Sequence, residues 1–218
     1  MTNGHSVWVE LDGTANSEDK AVDVLTCGAW ADAVDVAVRC SAEAIGVPQE
    51  PDWAARAGDL DWDCRTTVLH MASDCIGYAG QVVAPRAHGY APFDLVLDGS
   101  PDSAGLGDVV RTTGGILSAV VRSADLAIVS WHPYGVAGPM DFAAMGIVEL
   151  LVHTEDLSRG LDFPWAPPDW LCARTLEHLF PDAPRHLEPW PTLLWATGRI
   201  ALGHRPRQPQ WRWANTAT

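Results

Sequence analysis

The chain is poor in positive charge. Of its 218 residues 14 are basic and 28 acidic, and Lys20 is the only lysine, the remaining 13 basic side chains being arginines. A formal net charge of -14 repels phosphate backbones and anionic headgroups, which argues against nucleic acid and an acidic membrane surface as partners. Arginine with almost no lysine also fits a gene of high GC content, such as an actinobacterial one. No run of roughly 18 uncharged apolar residues occurs, so no helix is expected to span a bilayer. The first residues show no basic stretch leading into an apolar one, so no secretory leader is expected and the chain reads as cytoplasmic. The cysteines lack a pairing pattern. Cys27, Cys40, Cys64, Cys75 and Cys172 are odd in number, and no two have the C-x-x-C spacing of a zinc or redox site. They read as core thiols in a reducing compartment, with Cys64 and Cys75 on one helix face. Phosphate-binding loops are missing too. "DGS" at 98–100 and "GLGD" at 105–108 lack the spacing and the lysine, and no G-x-S-x-G nucleophile elbow appears.

What remains is a globular composition, 47% hydrophobic and 19% charged, in a chain long enough to bury a core. "SVWVEL" (Ser6–Leu11) alternates like a short strand. Ser17 can cap a first helix with Glu18 and Asp19 in its opening turn. Val22, Leu25, Ala29, Ala33, Val36, Cys40 and Ala44 carry its apolar stripe to Gly46-Val47-Pro48. Asp63 is an N-cap for a second helix from Cys64 to about Ala84, stopped by Pro85. A third helix is expected from Asp102 to Ser123, against the cost of four glycines within it. "SWHPYGVAGP" reads as a loop. A fourth helix starts at Pro139 and runs to Arg159, with Gly160 as its C-cap. Shorter helices are expected near Leu171–Leu179 and Thr192–Leu202, and the tail "RPRQPQWRWANT" as a terminal strand. The fold class is therefore all-α, a four-helix bundle over residues 1–165 with a small helical appendage over 166–218. The 11 tryptophans are spread along the chain and read as core residues and loop anchors. Trp131 and Tyr134, in the loop before the fourth helix, either line a pocket mouth or merely anchor the loop.

"MGIVELLVHTEDL" (145–157) stands out. On a helical wheel its central turns have no polar face, which marks a buried helix. Glu149 and His153 are then inside, where an unpaired carboxylate is costly. Four residues apart, they point the same way with Cβ atoms roughly 5–6 Å apart. Two readings follow: a hydrogen-bonded pair, with or without a partner arginine, or half of a metal site. His70, central in the second helix, is the candidate third ligand. On that helix, however, it lies opposite the stripe of Val68, Ala72, Cys75, Ile76 and Ala79, beside Thr66, Ser73 and Gly77. It is either a surface histidine or part of a wet pocket inside the bundle.

The stretches "DLDWDCRTTVLHMAS" and "VELLVHTEDLSRGL" resemble the two signature segments of the DinB-like superfamily, in particular the branch of mycothiol-dependent maleylpyruvate isomerases. The matching positions are Leu60-Asp61-Trp62, His70, Glu149, His153 and Asp156-Leu157, with "LLWATGR" (Leu193–Arg199) similar to the family's C-terminal part. The resemblance implies a DinB-like bundle with an unusual connection order. It also implies a divalent metal on His70, Glu149 and His153 with positions open for water and a thiol. Zinc suits that ligand set, and nickel, iron or manganese would also fit. A thiol bound to such a metal is held as thiolate, the nucleophilic form. The expected function is a metal-dependent thiol transferase or isomerase, acting with a mycothiol-like thiol on an electrophilic small molecule, as monomer or homodimer. The alternatives are a non-catalytic metal- or small-molecule-binding protein on the same bundle and a metal-dependent hydrolase. Asp156, one turn from His153, is expected to orient a ligand from behind, or else to be a solvated aspartate near the helix end. Arg199 is expected to pair with an anionic group of substrate or thiol, or else to be a surface arginine.

Overall fold

The computed structural model describes residues 26–47 and 51–215. These residues form a mostly helical molecule: α1 (Cys27–Ile45), α2 (Cys64–Val83), α3 (Ser103–Arg122), α4 (Pro139–Leu161), α5 (Asp169–Leu179) and α6 (Pro189–Ala196). A short antiparallel pair, β1 (Ser130–His132) and β2 (Gly135–Ala137), pairs Trp131 with Val136 across its middle. No helix of the described residues is long and apolar enough to cross a membrane.

Side-chain caps set the helix starts. Thr26 accepts a hydrogen bond from Ala29 N at 3.1 Å, Asp63 from Thr66 N at 2.6 Å and Asp102 from Gly105 N at 2.9 Å. Each cap satisfies a backbone donor that the first helical turn leaves without a partner. Pro139 opens α4, and the Asp141 carboxylate accepts from Gly138 N at 2.8 Å.

α1 and α2 each pack against both α3 and α4. α4 is the buried centre: every residue from Asp141 to Thr154 is buried. Polar stitches cross the core, with Ser41 donating to Leu150 O at 3.2 Å and Ser118 to Ala31 O at 3.1 Å. Two of the four α3 glycines, Gly107 and Gly114, face α1 closely. A Cβ on Gly114 would collide with the Val38 side chain, so the missing side chain lets α3 lie tight on α1. α5 packs on α4 and on α6.

Several sequence expectations need correction. Thr26 is extended and caps α1, so the helix that carries Ala29 to Ala44 begins at Cys27 and the single continuous helix expected from Ser17 to Gly46 is interrupted there; residues 17–25 and the strand expected at Ser6–Leu11 lie outside the described residues. Gly160 is inside α4, which runs to Leu161 and ends on Asp162 in the left-handed region, φ 54°. A Cβ at Gly160 would stand 2.5 Å from Arg56 O and 2.7 Å from Cys64 Sγ, so this glycine serves contact with the 51–63 loop, not helix termination. The "SWHPYGVAGP" loop contains the β1–β2 hairpin, turned at Gly135 (φ 118°), where only glycine is comfortable. The last helix occupies Pro189–Ala196 and not Thr192–Leu202. The described residues of the tail form no strand: they carry one isolated bridge, Leu202 with Arg205, a backbone hydrogen bond from Ala214 N to Leu179 O, and side-chain hydrogen bonds such as Arg207 to Asp59 and Asn215 to Gly135 O. The tail's prolines at 206 and 209 deny it the donors a ladder needs.

Candidate metal centre

The α2–α4 contact brings three side chains together. Glu149 and His153, one turn apart on α4, face His70 near the middle of α2. His153 Nε2 lies 3.0 Å and His70 Nε2 3.7 Å from Glu149 Oε2, and one donor atom from each residue falls within 4.8 Å of the others. The two imidazoles meet edge to face, centroids 4.9 Å apart. The cluster is sheltered on the α4 side and open on the α2 side: side-chain exposure is 7% at His153, 10% at Glu149 and 30% at His70. His70 therefore faces the inside of the helix assembly while keeping a wet edge. Trp62, itself half-exposed, packs over that edge with its ring 4.7 Å from the His70 ring.

A charged chain stands behind His153. Its Nδ1 is 3.0 Å from Asp156 Oδ2, and Asp156 Oδ2 in turn accepts from Arg199 Nη2 at 2.8 Å. A carboxylate on Nδ1 fixes the ring orientation and, in the neutral ring, puts the proton on Nδ1. The Nε2 lone pair is then aimed at Glu149 and His70. Burial pushes the Asp156 carboxyl up, but the His153 and Arg199 hydrogen bonds outweigh it and hold it below its ordinary value. Burial works against a charged His153, yet Asp156 and Glu149 raise it to about 9. Glu149 is likewise pushed up by burial and pulled well below the carboxylate range by His153 and His70. The pocket is thus organised for a cation shared between carboxylates, and His153 supplies a proton as that cation in the absence of any other.

The donor set itself fits a metal ion. Two imidazole nitrogens and one carboxylate oxygen converge, with a carboxylate orienting one imidazole. That pattern leaves coordination positions free, unlike a closed four-ligand structural site.

The other expected site residues fall in different places. Asp156 lies where a ligand-orienting carboxylate should. Arg199 is nearly buried and spends its guanidinium on Asp156 and on the Thr197 carbonyl, 2.9 Å from Nη1. Its role in the structure is to support the site from behind. Trp131 packs edge-on against Tyr90 at 5.5 Å, and half-exposed Tyr134 sits beside His132 and Trp213. One residue at the site escaped the sequence reading. Asp74 Oδ2 is 3.2 Å from His70 Nε2. Burial, then the nearby Glu149 charge, pushes its carboxyl up to about 7 against the pull of His70. The i, i+4 spacing that singles out Glu149 with His153 also holds for His70 with Asp74, and was the available signal.

No protein-family model, curated protein or solved structure matches the chain.

Proposed function

We propose that the chain is a metal-dependent enzyme on a DinB-like four-helix bundle. In this reading it presents a low-molecular-weight thiol, mycothiol or similar, as thiolate to an electrophilic small molecule for transfer or isomerisation. The observation that carries the reading is the convergence of His70, Glu149 and His153 donor atoms within 4.8 Å, backed by Asp156. A divalent ion held there, zinc first by ligand type, supplies the charge that keeps a thiol deprotonated near neutral pH. The residues of the chain do the rest. Asp156 orients His153, Arg199 keeps Asp156 ionised, Trp62 screens the open edge of His70, and Asp74 stands where it can accept the proton a thiol gives up. The protein works in the cytoplasm as a monomer or homodimer.

Metal analysis of untagged protein tests the reading. About one equivalent of zinc is expected in wild type, and little in His153→Ala, which removes a ligand. Adding a thiol to the cobalt-substituted protein should then produce a thiolate-to-metal charge-transfer band. Metal-free wild type defeats the proposal as a whole. A cobalt protein whose spectrum ignores thiols but changes with pH favours a hydrolase.

A further inference from the structure

A cavity of about 230 Å³ lies between α2 and the 88–98 segment. Asp74 lines it, and its Oδ2 is 3.2 Å from the His70 nitrogen that faces Glu149, so this one carboxylate is shared between the cavity wall and the candidate metal centre. Its walls include the rings of Tyr78, Tyr90 and Phe93 together with Ile76, and Asp94 stands in its lining as a second carboxylate. No lysine or arginine lines it. Tyr78 and Tyr90 are inclined at 50° with centroids 6.5 Å apart. Trp131 packs edge-on against Tyr90, and Gly77 leaves room beside the ring that an added Cβ would fill at ordinary contact distance, 3.6 Å.

We infer that this cavity receives an alkylammonium group on a substrate of the enzyme, an assignment that rests on the metal-dependent reading above. Aromatic faces attract cations through their quadrupole, most strongly where water is excluded, and a nearby carboxylate adds direct charge. Both are present here on the same walls. Asp74 is engaged with His70; Asp94, exposed at the rim, is the carboxylate left to meet the ligand. A carboxylate- or phosphate-bearing substrate would face two aspartates with no basic partner in the cavity, on a molecule of net charge -14. The substrate is therefore a small amine or quaternary ammonium compound whose reactive carbon lies toward Asp74, and not a small dianion.

Calorimetry on the zinc-loaded full chain, with phenyltrimethylammonium and benzoate as probes, tests the assignment. The cation should bind at least about tenfold more tightly than the anion, and Asp94→Asn and Tyr90→Leu should each weaken it about three- to tenfold. Benzoate binding as tightly as the cation, neither probe binding, or a cation affinity indifferent to Asp94→Asn overturns it. Asp94 is an exposed side chain, so that variant is expected to fold. Zinc measured in the same samples separates the two readings. Cation binding without zinc defeats the metal centre alone, and a zinc-loaded protein that prefers benzoate defeats the cavity assignment alone.

Discussion

His153 gathers most of the site's chemistry on one ring: Nε2 meets Glu149 and His70, and Nδ1 meets an aspartate that an arginine keeps ionised. Asp156→Asn keeps the shape but loses the charge that makes His153 a better donor. Zinc affinity, read by competition with a chromophoric chelator, should fall about 10- to 100-fold; an unchanged affinity would leave Asp156 no part in the metal site. A second buried histidine behaves in the opposite way. His132 is 4% exposed among Tyr78, Phe142 and Trp213, with its Nδ1 accepting from Tyr134 N at 3.2 Å. Burial lowers it to about 4, against the weaker pull of Glu149 and Asp141. The unfolded chain takes up a proton near pH 6.5 and the folded protein near 4. Between these values acid favours unfolding, by up to about 1.4 kcal/mol per pH unit from this group. Urea unfolding near neutral pH and again near about pH 5 should show wild type losing more stability on acidification than His132→Gln. Equal losses would mean that His132 is already protonated in the fold.

The helices show which residues speak plainly in a sequence and which do not. α2, α3 and α4 begin where an aspartate or proline announces them, because a cap acts within one turn and leaves a local pattern. Glu149 and His153 are legible for a similar reason, since two polar residues one turn apart in an otherwise apolar helix have little place but a shared site. The face of His70 was not legible from its own wheel. The apolar stripe of α2 serves the core, while His70, with Asp74 one turn on, serves a polar pocket on another side that only the α2–α4 packing creates. Gly160 misleads in the same way. It carries the sequence mark of a C-cap, but its function is contact between α4 and the loop holding Arg56 and Cys64. That contact also seats the segment leading to Trp62. Gly160→Ala puts a methyl group against a backbone carbonyl and a buried thiol and should destabilise by about 1–3 kcal/mol. For a chain of this size that lowers Tm by roughly 2–4 °C per kcal/mol. A Tm within about one degree of wild type would show that the loop yields freely.

At the scale of the molecule, the C-terminal quarter is tied to the candidate metal centre by the Arg199–Asp156 ion pair. Arg199 follows α6, and its partner Asp156 is on α4 next to His153, so the order of the last helices and the charge state of the site are linked. The tail is held to α5 by the Ala214–Leu179 hydrogen bond and to the hairpin by buried Trp213, which packs against His132 and Tyr134. Removing the arginine leaves the Asp156 carboxylate, 2% exposed at its side chain, with His153 as its remaining charged partner, a change that costs less than the roughly 3–5 kcal/mol of a fully stranded buried charge. The same link runs in the other direction. Zinc at 100 times its Kd stabilises the folded state by about 2.7 kcal/mol. If the charge of Asp156 is shared between His153 and Arg199, part of that stabilisation reaches Pro189–Ala196, some forty residues further along the chain. Hydrogen exchange should therefore slow on zinc addition both in α4 and in peptides covering α6. In Arg199→Met the α4 response should survive at higher zinc while the α6 response disappears. Slowing confined to α4 in wild type would mean that the C-terminal helices only cover the bundle, and that Arg199 holds Asp156 without transmitting anything to them.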